Sequence, residues 1–310
     1  MQKKSVIVVG GALADITGIP NQKLIQGDSN PGKISISSGG VARNIAENLV
    51  KLGVNVSFIT ALGKDIFGKN IISDCQNLKI DIKHSIIHEK LSTAFYLLIV
   101  NEKGNLDVGI SDTKIIEEIN ADYIKDKKHI ISEYDIIVLD TNLNIKTIKY
   151  IVENFPDKKI FIDLVSIAKA LKIKDFIGKF HTIKPNLTES EAITGIKYEN
   201  HSDLIKMKDW FLSKGIKQIF ISLGDKGCYF ANNKESGLVK GKTVKSVNAS
   251  GAGDAFMSGI IASEVEERTI YDATCFATGS AIAALNHTKA VNPNISQKLI
   301  FQIINKYNIC

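Results

Sequence analysis

The sequence lacks an apolar run long enough to cross a membrane. Its longest runs, such as residues 136–139, have the length of a strand, whereas a membrane helix needs about 20 apolar residues. The basic N-terminus leads directly into an apolar segment and a glycine turn, without the cleavage pattern of a signal peptide. We therefore expect a soluble, cytoplasmic protein with no membrane partner.

The sequence has few cysteines and no clustered histidines. The cysteines lie far apart and include no Cys-x-x-Cys pair, so the pattern predicts neither a zinc site nor a disulfide framework and suits a reducing compartment. His84 and His88 have the spacing of metal ligands on a helix, but the isoleucines around them indicate a strand, and we expect no metal there. The cysteines are Cys75, Cys228, Cys275 and Cys310.

No block of one charge dominates the chain, although Lys and Arg number 39 against 33 Asp and Glu. The formal net charge of +6 is spread along the sequence rather than gathered in a tail or an Arg-rich patch. This distribution suits an anionic small-molecule substrate and does not indicate nucleic acid. The chain has no internal repeat and no low-complexity linker. Its 310 residues fit one large α/β domain or two modest ones, and we expect a single domain over residues 1–310.

Short runs of branched residues alternate with amphipathic stretches, which is typical of βαβ units and a mainly parallel sheet. We predict strands at residues 5–9, 56–61, 136–139, 159–163, 182–184 and 218–222. We predict helices at residues 41–52, 147–154, 167–170 and 204–213.

Residues 16–38 and 91–111 interrupt this alternation, because polar and apolar residues alternate there around turn residues. Both segments are predicted to be antiparallel hairpins. Since both would leave the same end of a parallel sheet, we expect them to form a small β lid over an active site rather than a separate domain.

A glycine-rich turn at residues 248–256 is the strongest local signal, and it opens a helix. The amides of Gly251, Ala252 and Gly253 would point outward and, with the helix dipole, form a site for phosphate, which only small residues allow to approach closely. Asp254, in the first turn of this helix, is either an ordinary cap or a base that accepts a proton from an attacking hydroxyl. The small residues around it favour the base, because a cap does not need them.

A glycine pair, Gly39 and Gly40, opens another helix. It would let a bound ring lie close to the backbone, and Asn44 offers donors and an acceptor to sugar hydroxyls. The alternative is a plain loop-to-helix start with a surface Asn. Two other segments resemble nucleotide-binding motifs but do not match them. Residues 8–15 lack the third glycine of a dinucleotide fingerprint. Residues 237–243 lack the glycine spacing of a Walker A loop and the helix that follows it.

Asn186 and Glu189 follow a predicted strand and lie about one helical turn apart on a single face. A helix-capping box explains the pair as well as a role in ordering water around Mg²⁺ does. The second interpretation requires ATP, so both stay open at this point.

Together these stretches resemble the ribokinase family, also called PfkB carbohydrate kinases, over nearly the whole chain. The two family signatures occur in order, at residues 39–63 and 248–259, and Asp15, Asp163 and residues 222–227 follow the family's arrangement. The resemblance implies a three-layer α/β/α fold with a mainly parallel sheet and a small β lid. It also implies ATP and Mg²⁺ as cofactors.

The resemblance further implies roles for individual residues. The catalytic base would be Asp254, with an anion hole formed by Gly251, Ala252 and Gly253. Substrate would be bound by Asp15, Thr17, Asn30, Gly39, Gly40, Asn44, Thr93, Asn142, Lys169 and Asp254. The nucleotide would be bound by Lys184, Asn186, Ser222, Gly224, Gly227, Gly251, Gly253 and Asn286. Metal ions would lie near Asn186 and Glu189 (Mg²⁺, through water) and near Asn248 and Ser250 (K⁺).

Within the family, residues 30–33, 39–49, 140–143, 165–170 and 291–293 are most similar to kinases of the nucleoside pseudouridine. We therefore expect ATP-dependent phosphorylation of pseudouridine. The alternatives are a kinase of ribose, a ketose or a purine nucleoside and, from another class, a sugar-binding sensor without catalysis. The intact Asp254 with its glycine turn argues against the sensor.

Two further expectations follow from the resemblance. Members of the family commonly dimerise through the lid, so we expect a homodimer of that kind. Asn248 stands where the family usually has Asp, and Ala249 where it usually has Thr, so we expect any K⁺ site to be weak.

Overall fold

Runs of valine and isoleucine form the strands of a central sheet, because β-branched side chains favour extended backbone. The computed structural model describes residues 4–101, 106–244, 247 and 250–310. Its strands are β1 (Val6–Val9), β2 (Leu13–Pro20), β3 (Gly32–Gly39), β4 (Val56–Ile59), β5 (Ala61–Gly63), β6 (Ile86–His88), β7 (Ala94–Val100), β8 (Leu106–Asp112), β9 (Ile136–Asp140), β10 (Lys159–Asp163), β11 (Thr182–Ile183), β12 (Gln218–Ser222), β13 (Gly227–Asn232) and β14 (Ser236–Lys240). Its α-helices are α1 (Val41–Lys51), α2 (Ile66–Asn77), α3 (Ala121–Asp126), α4 (Lys128–Ile131), α5 (Ile145–Asn154), α6 (Ile167–Ala170), α7 (Leu187–Thr194), α8 (His201–Lys214), α9 (Ala252–Val265), α10 (Ile270–Leu285) and α11 (Gln297–Tyr307). Segments of 3₁₀ helix lie at Lys114–Glu118, Leu171–Lys179 and Gly224–Lys226.

The central sheet has eight strands in the order β14-β13-β12-β11-β10-β9-β1-β4. Neighbouring strands from β4 to β12 are parallel, and Val8 of β1, for example, lies opposite Phe58 on one side and Val138 on the other. The last two strands, β13 and β14, are antiparallel to their neighbours and close one edge as a hairpin. The predicted mainly parallel sheet is confirmed.

Helices cover both faces of this sheet. Val6 and Val8 of β1 belong to the apolar core shared with α1, α9, α10 and α11, whereas Ile7 and Val9 belong to the core shared with α3, α5, α7 and α8. All four side chains are 0% exposed. The protein therefore has the three layers, α/β/α, that the sequence predicts.

A small sheet of four strands, β3-β2-β7-β8, lies beside the layered body. The pairs β2/β3 and β7/β8 are antiparallel and occupy the two segments that alternation marks as hairpins, while β2 and β7 are parallel neighbours. Because side chains alternate along a strand, Asp15 and Thr17 lie on one face of this small sheet and Ile16 on the other.

The boundaries of the predicted elements are close to the observed ones, with one strand divided. Strands 159–163 and 218–222 and helix 167–170 agree residue for residue. The predicted strand 56–61 is two strands, because β4 ends at Ile59 and β5 begins at Ala61 to pair with β6. Helix α8 begins earlier than predicted, at His201, since the Asn200 side chain accepts a hydrogen bond from the Ser202 amide at 2.9 Å.

The cysteine prediction is wrong for one pair. Cys275 of α10 and Cys310 form a disulfide, with their Cα atoms 6.1 Å apart. They are 35 residues apart in the sequence, and they meet because α11 packs back along α10, where the rings of Phe276 and Phe301 lie 5.6 Å apart. Sequence spacing alone does not reveal such a return of the chain.

In the described ranges, no helix combines the length and the apolar composition that a bilayer crossing requires. In those same ranges, no three or more His, Cys, Asp or Glu side chains group together so that they could hold a metal ion.

Candidate active site

Polar residues gather where the parallel strands of the central sheet end. Asp140 is the last residue of β9, Asp163 is the last residue of β10, and Lys184 directly follows β11. These strands are neighbours, so their carboxyl ends meet along one edge of the sheet. In open α/β sheets, ligands bind at this edge.

The Asp140 side chain joins three backbone segments at this edge of the sheet. One oxygen, Oδ2, accepts hydrogen bonds from the amides of Gly11 (3.1 Å) and Ala42 (3.2 Å), and Oδ1 accepts from the amide of Asn142 (2.8 Å). The side chain is 0% exposed, and burial raises its pKa. Sequence reasoning gave Asp140 no role; its position at the end of a buried strand was the available signal.

The glycine-rich turn begins α9 as predicted. Gly251 is the N-cap residue with φ of 80°, and a Cβ there would lie 2.0 Å from the carbonyl oxygen of Ala290, so no other residue fits. The first amides of the helix have no acceptor within it, and they carry the positive end of its dipole. A Cβ on Gly253 would lie 3.4 Å from the Lys184 Nζ, which places a cation beside these amides.

Asp254 lies in the first turn of α9 and faces α1. Its Oδ2 accepts a hydrogen bond from the Asn44 Nδ2 at 2.9 Å, across 210 residues of sequence. The two helices also meet at Ser258, whose hydroxyl donates to the Ile45 carbonyl at 3.3 Å. Burial raises the pKa of Asp254 to about 7, and the charge of Asp163 adds to the rise, while Asn44 and Lys184 oppose it.

Lys184 is a buried cation among carboxylates. Its side chain is 10% exposed, and its Nζ lies 3.5 Å from the Asp163 Oδ2. Burial favours the neutral amine, but the charges of Asp163, Glu189 and Asp254 outweigh it and raise the lysine pKa. A cation held in this way can pair with a phosphate that reaches the start of α9.

Asn186 and Glu189 form the capping box that was one of their two interpretations. The Asn186 Oδ1 accepts from the Glu189 amide at 2.8 Å, and the Glu189 Oε2 accepts from the Asn186 amide at 2.9 Å. Burial raises the pKa of Glu189, although the Asn186 amide and Lys184 oppose the rise. The box fixes a carboxylate near Lys184 and does not exclude a role in ordering water.

On the side of the small sheet, Asp15 lies against the glycine pair. A Cβ on Gly39 would come within 1.9 Å of the Asp15 Oδ2, and one on Gly40, where φ is 101°, would lie 2.5 Å from the Gly11 carbonyl oxygen. Thr17 follows on the same face of β2. Burial raises the pKa of Asp15 to about 6, with the Arg43 charge opposing the rise.

A second polar pair joins β9 to α6. The Lys169 Nζ donates to the Asn142 Oδ1 at 2.5 Å, and Asn142 follows directly on the Asp140 turn. Burial lowers the pKa of Lys169, against the attraction of the Asp140 charge. Both residues therefore lie near the end of β9, at the edge of the central sheet where Asp140 is found.

Two residues predicted to bind substrate, Thr93 and Asn30, make hydrogen bonds within the scaffold. Thr93 is 0% exposed, its Oγ1 donates to the Asp65 Oδ1 at 2.8 Å, and it accepts from the Gly63 amide at 3.0 Å. The Asn30 side chain accepts from the Ile25 amide at 2.8 Å and donates to the carbonyl oxygens of Ile25 and Asp28, all within its own loop. Their role in substrate binding stays a prediction.

The remaining predicted nucleotide residues lie at and after the end of β12 and at the end of α10. Ser222 ends β12, and its amide donates to the Pro185 carbonyl at 2.9 Å, while Gly224 (φ 64°) and Gly227 (φ 110°) shape the turn that follows. Asn286 caps the end of α10. Ser250 lies in the turn before α9, whereas the predicted K⁺ residue Asn248 lies outside the described residues.

Comparison with known proteins gives matches over nearly the whole chain. The pfkB family carbohydrate kinases match residues 3–297. The pseudouridine kinase of Escherichia coli K12 is 31% identical over 304 residues, covering 98% of this chain and 97% of that protein.

Solved structures share the fold over nearly the whole chain. The crystal structure of a Clostridium perfringens protein superposes with a TM-score of 0.89 at 34% identity, covering 99% of this chain and 97% of the other. Ribokinase of Thermotoga maritima superposes with a TM-score of 0.86 at 22% identity, over 97% of this chain and 99% of the other, and so confirms the fold. The chain belongs to the pfkB family of carbohydrate kinases.

Proposed function

We propose that this kinase transfers the γ-phosphate of ATP to the 5′-hydroxyl of pseudouridine, with Asp254 as the base. The observation that carries the proposal is the position of Asp254, which combines a hydrogen bond from Asn44 with a place at the start of α9, beside Lys184. An acidic group that only capped a helix would not need this setting. A pKa near the working pH is what general-base catalysis requires.

The groups at the start of α9 fit a phosphate. Gly251 leaves no room for a side chain, the first amides of α9 have no partner within the helix, and Lys184 supplies positive charge. Kinases of this fold use ATP with Mg²⁺, which shields phosphate charge during transfer. The amides at the start of α9 and Lys184 are proposed to stabilise the negative charge of the transferred phosphoryl group, while Asp254 accepts the proton of the attacking hydroxyl.

The proposed acceptor site lies between α1 and the small sheet. Asp15, with its carboxylate against Gly39, and Asn44 would bind the ribose hydroxyls, and the glycine pair would let the ring approach the backbone. Lys169 and Asn142 would bind the polar edge of the base. The Escherichia coli pseudouridine kinase, at 31% identity, supports this choice of nucleoside.

The small sheet is proposed to act as a lid. Asp15 and Thr17 lie on one of its faces, so closure would bring them onto the sugar and exclude water from the reacting hydroxyl. Glu189, fixed by its capping box near Lys184, is proposed to order water around Mg²⁺ together with Asn186.

A coupled assay of ATP consumption tests the proposal. The assay compares six acceptors at equal concentration: pseudouridine, uridine, inosine, guanosine, ribose and fructose. Each acceptor is assayed with the unmodified chain and with the Asp254→Asn variant. We expect the highest kcat/KM with pseudouridine, and uridine is the sharpest control because it differs only in the bond between base and ribose. Higher kcat/KM for ribose, fructose or a purine nucleoside would assign the chain to that branch of the family. Ligand-dependent stabilisation without ATP consumption on any acceptor would contradict the kinase function.

A further inference from the structure

Arg43 is a buried cation that the proposed mechanism does not use. It lies in α1 directly before Asn44 and is 6% exposed. Among the described residues its Nε has no hydrogen-bond partner. The guanidinium is therefore buried although one of its donors is unsatisfied. Burying a charge without full pairing is costly, which calls for a reason at this position.

The guanidinium connects three elements. Its Nη1 donates to the Ser38 carbonyl at 3.2 Å, near the end of β3, and to the Asn44 Oδ1 at 3.4 Å. Its Nη2 pairs with the Glu47 Oε2 at 2.7 Å, one turn along α1. Arg43 thus joins a strand of the small sheet to the side chain that contacts Asp254.

The contact with Asn44 decides which way the amide points. An Asn side chain carries an acceptor oxygen at one end and a donor nitrogen at the other. Since Arg43 can only donate, it selects the oxygen, and the nitrogen is left to donate to the Asp254 Oδ2 at 2.9 Å. A flipped amide would put two oxygens face to face at Asp254.

We propose that Arg43 is a positioning residue: it holds the Asn44 amide in the orientation that donates to Asp254, and it ties that orientation to strand β3 of the small sheet. The inference rests on the proposed function only in taking Asp254 as the base. Movement of β3 would shift the Ser38 carbonyl and so act on Asn44 through one guanidinium.

The electrostatic consequence has a definite sign. Asp254 is faced by Asn44 from α1, by Lys184 after β11, and by Asp163 and Asp140 at the ends of β10 and β9. Of these groups, Asn44 and Lys184 lower its pKa and the two carboxylates raise it. Loss of the Asn44 hydrogen bond therefore raises the pKa of Asp254, and the acid limb of activity moves to higher pH.

Arg43→Met, Arg43→Lys and Asp74→Asn form the matched set for the test. Asp74 accepts from the Ser38 hydroxyl at 2.6 Å, so it also holds β3 but does not touch Asn44. Profiles of kcat and KM against pH are measured with pseudouridine and ATP. We expect Arg43→Met to lower kcat by about 10- to 100-fold, to change the KM for ATP less than about twofold, and to move the acid limb upward. Arg43→Lys keeps a charged donor, so its acid limb should move upward less than that of Arg43→Met. Asp74→Asn should leave the acid limb at the pH of the unmodified chain.

A readout independent of turnover separates this inference from the proposed function. The ¹⁵N–¹H signals of the Asn44 amide, identified by their loss in Asn44→Ser, report the ionisation of Asp254 directly. In Arg43→Met their titration midpoint should rise, whether or not pseudouridine is the acceptor. If Arg43→Met does not fold, Glu47→Gln frees the guanidinium and should raise the midpoint to a smaller extent. An unchanged midpoint in folded variants, or equal shifts in the Arg43 and Asp74 variants, would overturn the proposal.

Discussion

At Asp254, burial and the neighbouring Asp163 favour the protonated acid, whereas Asn44 and Lys184 favour the carboxylate. The balance sets the pKa at about 7, well above that of an exposed aspartate. A carboxylate tuned in this way is strong enough to accept a proton and is still largely ionised above neutral pH. The capping interpretation requires none of these contacts.

Replacement of Asp254 by Asn should lower kcat by about 10²- to 10⁴-fold, the range associated with loss of a general base. The KM for ATP should change little, because Asn keeps the volume and the helix position. Asp272→Asn is the control, since Asp272 also lies in the first turn of a helix, α10, but is exposed. Steady-state kinetics of both variants check this, and turnover near that of the unmodified chain in Asp254→Asn would remove Asp254 from the mechanism.

The pH dependence follows from the same residue. Asp254 must be ionised to accept a proton, so kcat/KM should rise with pH through about 7 and then level off. Between pH 7 and about 6 it should fall about tenfold per pH unit, and more steeply below about 6, where Asp15 also becomes protonated. His181, whose pKa is lowered to about 4 by burial, stays neutral in this range and does not add a second limb. A flat profile between pH 5.5 and 8, with folding verified by fluorescence at each pH, would contradict the assignment.

The candidate site was predictable where one sequence motif builds it. Gly251, Asp254, Gly39 and Asn44 stand in two glycine-rich turns and could be recognised in the sequence, although their meeting across α1 and α9 came only from the resemblance. Arg43 was not recognisable, because its effect depends on contacts with Ser38 and with the orientation of an amide. Asn30 and Thr93 were chosen by resemblance alone. The Asn30 hydrogen bonds are local, whereas Thr93 accepts from the amide of Gly63, 30 residues away, a contact that sequence spacing does not reveal.

At the scale of elements, α9 and α10 pack closely because small residues face each other. A Cβ on Gly259 would lie 2.6 Å from the Cα of Ala277, so only glycine allows this approach. The sequence predicts α9 from its glycine-rich start. The strands of the central sheet were predictable because apolar runs of that length are buried on both faces. The edge hairpin β13/β14 and the return of α11 along α10 depend on tertiary packing and were not.

The Cys275–Cys310 disulfide should stabilise this corner of the molecule. It closes a loop of 35 residues, for which loop-closure entropy gives about 3 to 4 kcal/mol of unfolding free energy. Cys310→Ser should therefore lower Tm by about 5 to 10 °C without reductant and leave it unchanged with dithiothreitol. Cys228→Ser is the control for a free, buried thiol, whose change in Tm should not depend on reductant. Equal Tm values for Cys310→Ser and the unmodified chain under oxidising conditions would contradict this expectation.

At the scale of the molecule, the face of the small sheet opposite Asp15 and Thr17 carries a row of aliphatic side chains. Ile16 of β2 lies in a cross-strand row with Ile36, Leu97 and Ile110. The isoleucines of the edge strands are largely exposed, with Ile36 at 57% and Ile110 at 61%. The face opposite Asp15 and Thr17 is therefore aliphatic and open. A contiguous exposed apolar surface of this kind usually marks an interaction site.

We propose that this aliphatic face packs against the same face of a second copy, which a two-fold axis makes self-complementary. Ile36→Lys places a charge at the centre of that contact and should convert the dimer to a monomer, as measured by sedimentation velocity over a range of concentrations. Ile167→Lys is the matched control, because Ile167 is an exposed isoleucine of α6, 43% exposed, outside the small sheet. If the unmodified chain sediments as a monomer at every concentration, or if both variants remain dimers, the aliphatic face does not join two copies. Ser37, the cross-strand neighbour of Asp15, lies on the opposite face of the same strand from Ile36. Dissociation is therefore also expected to loosen the proposed lid and to raise the KM for the acceptor more than the KM for ATP.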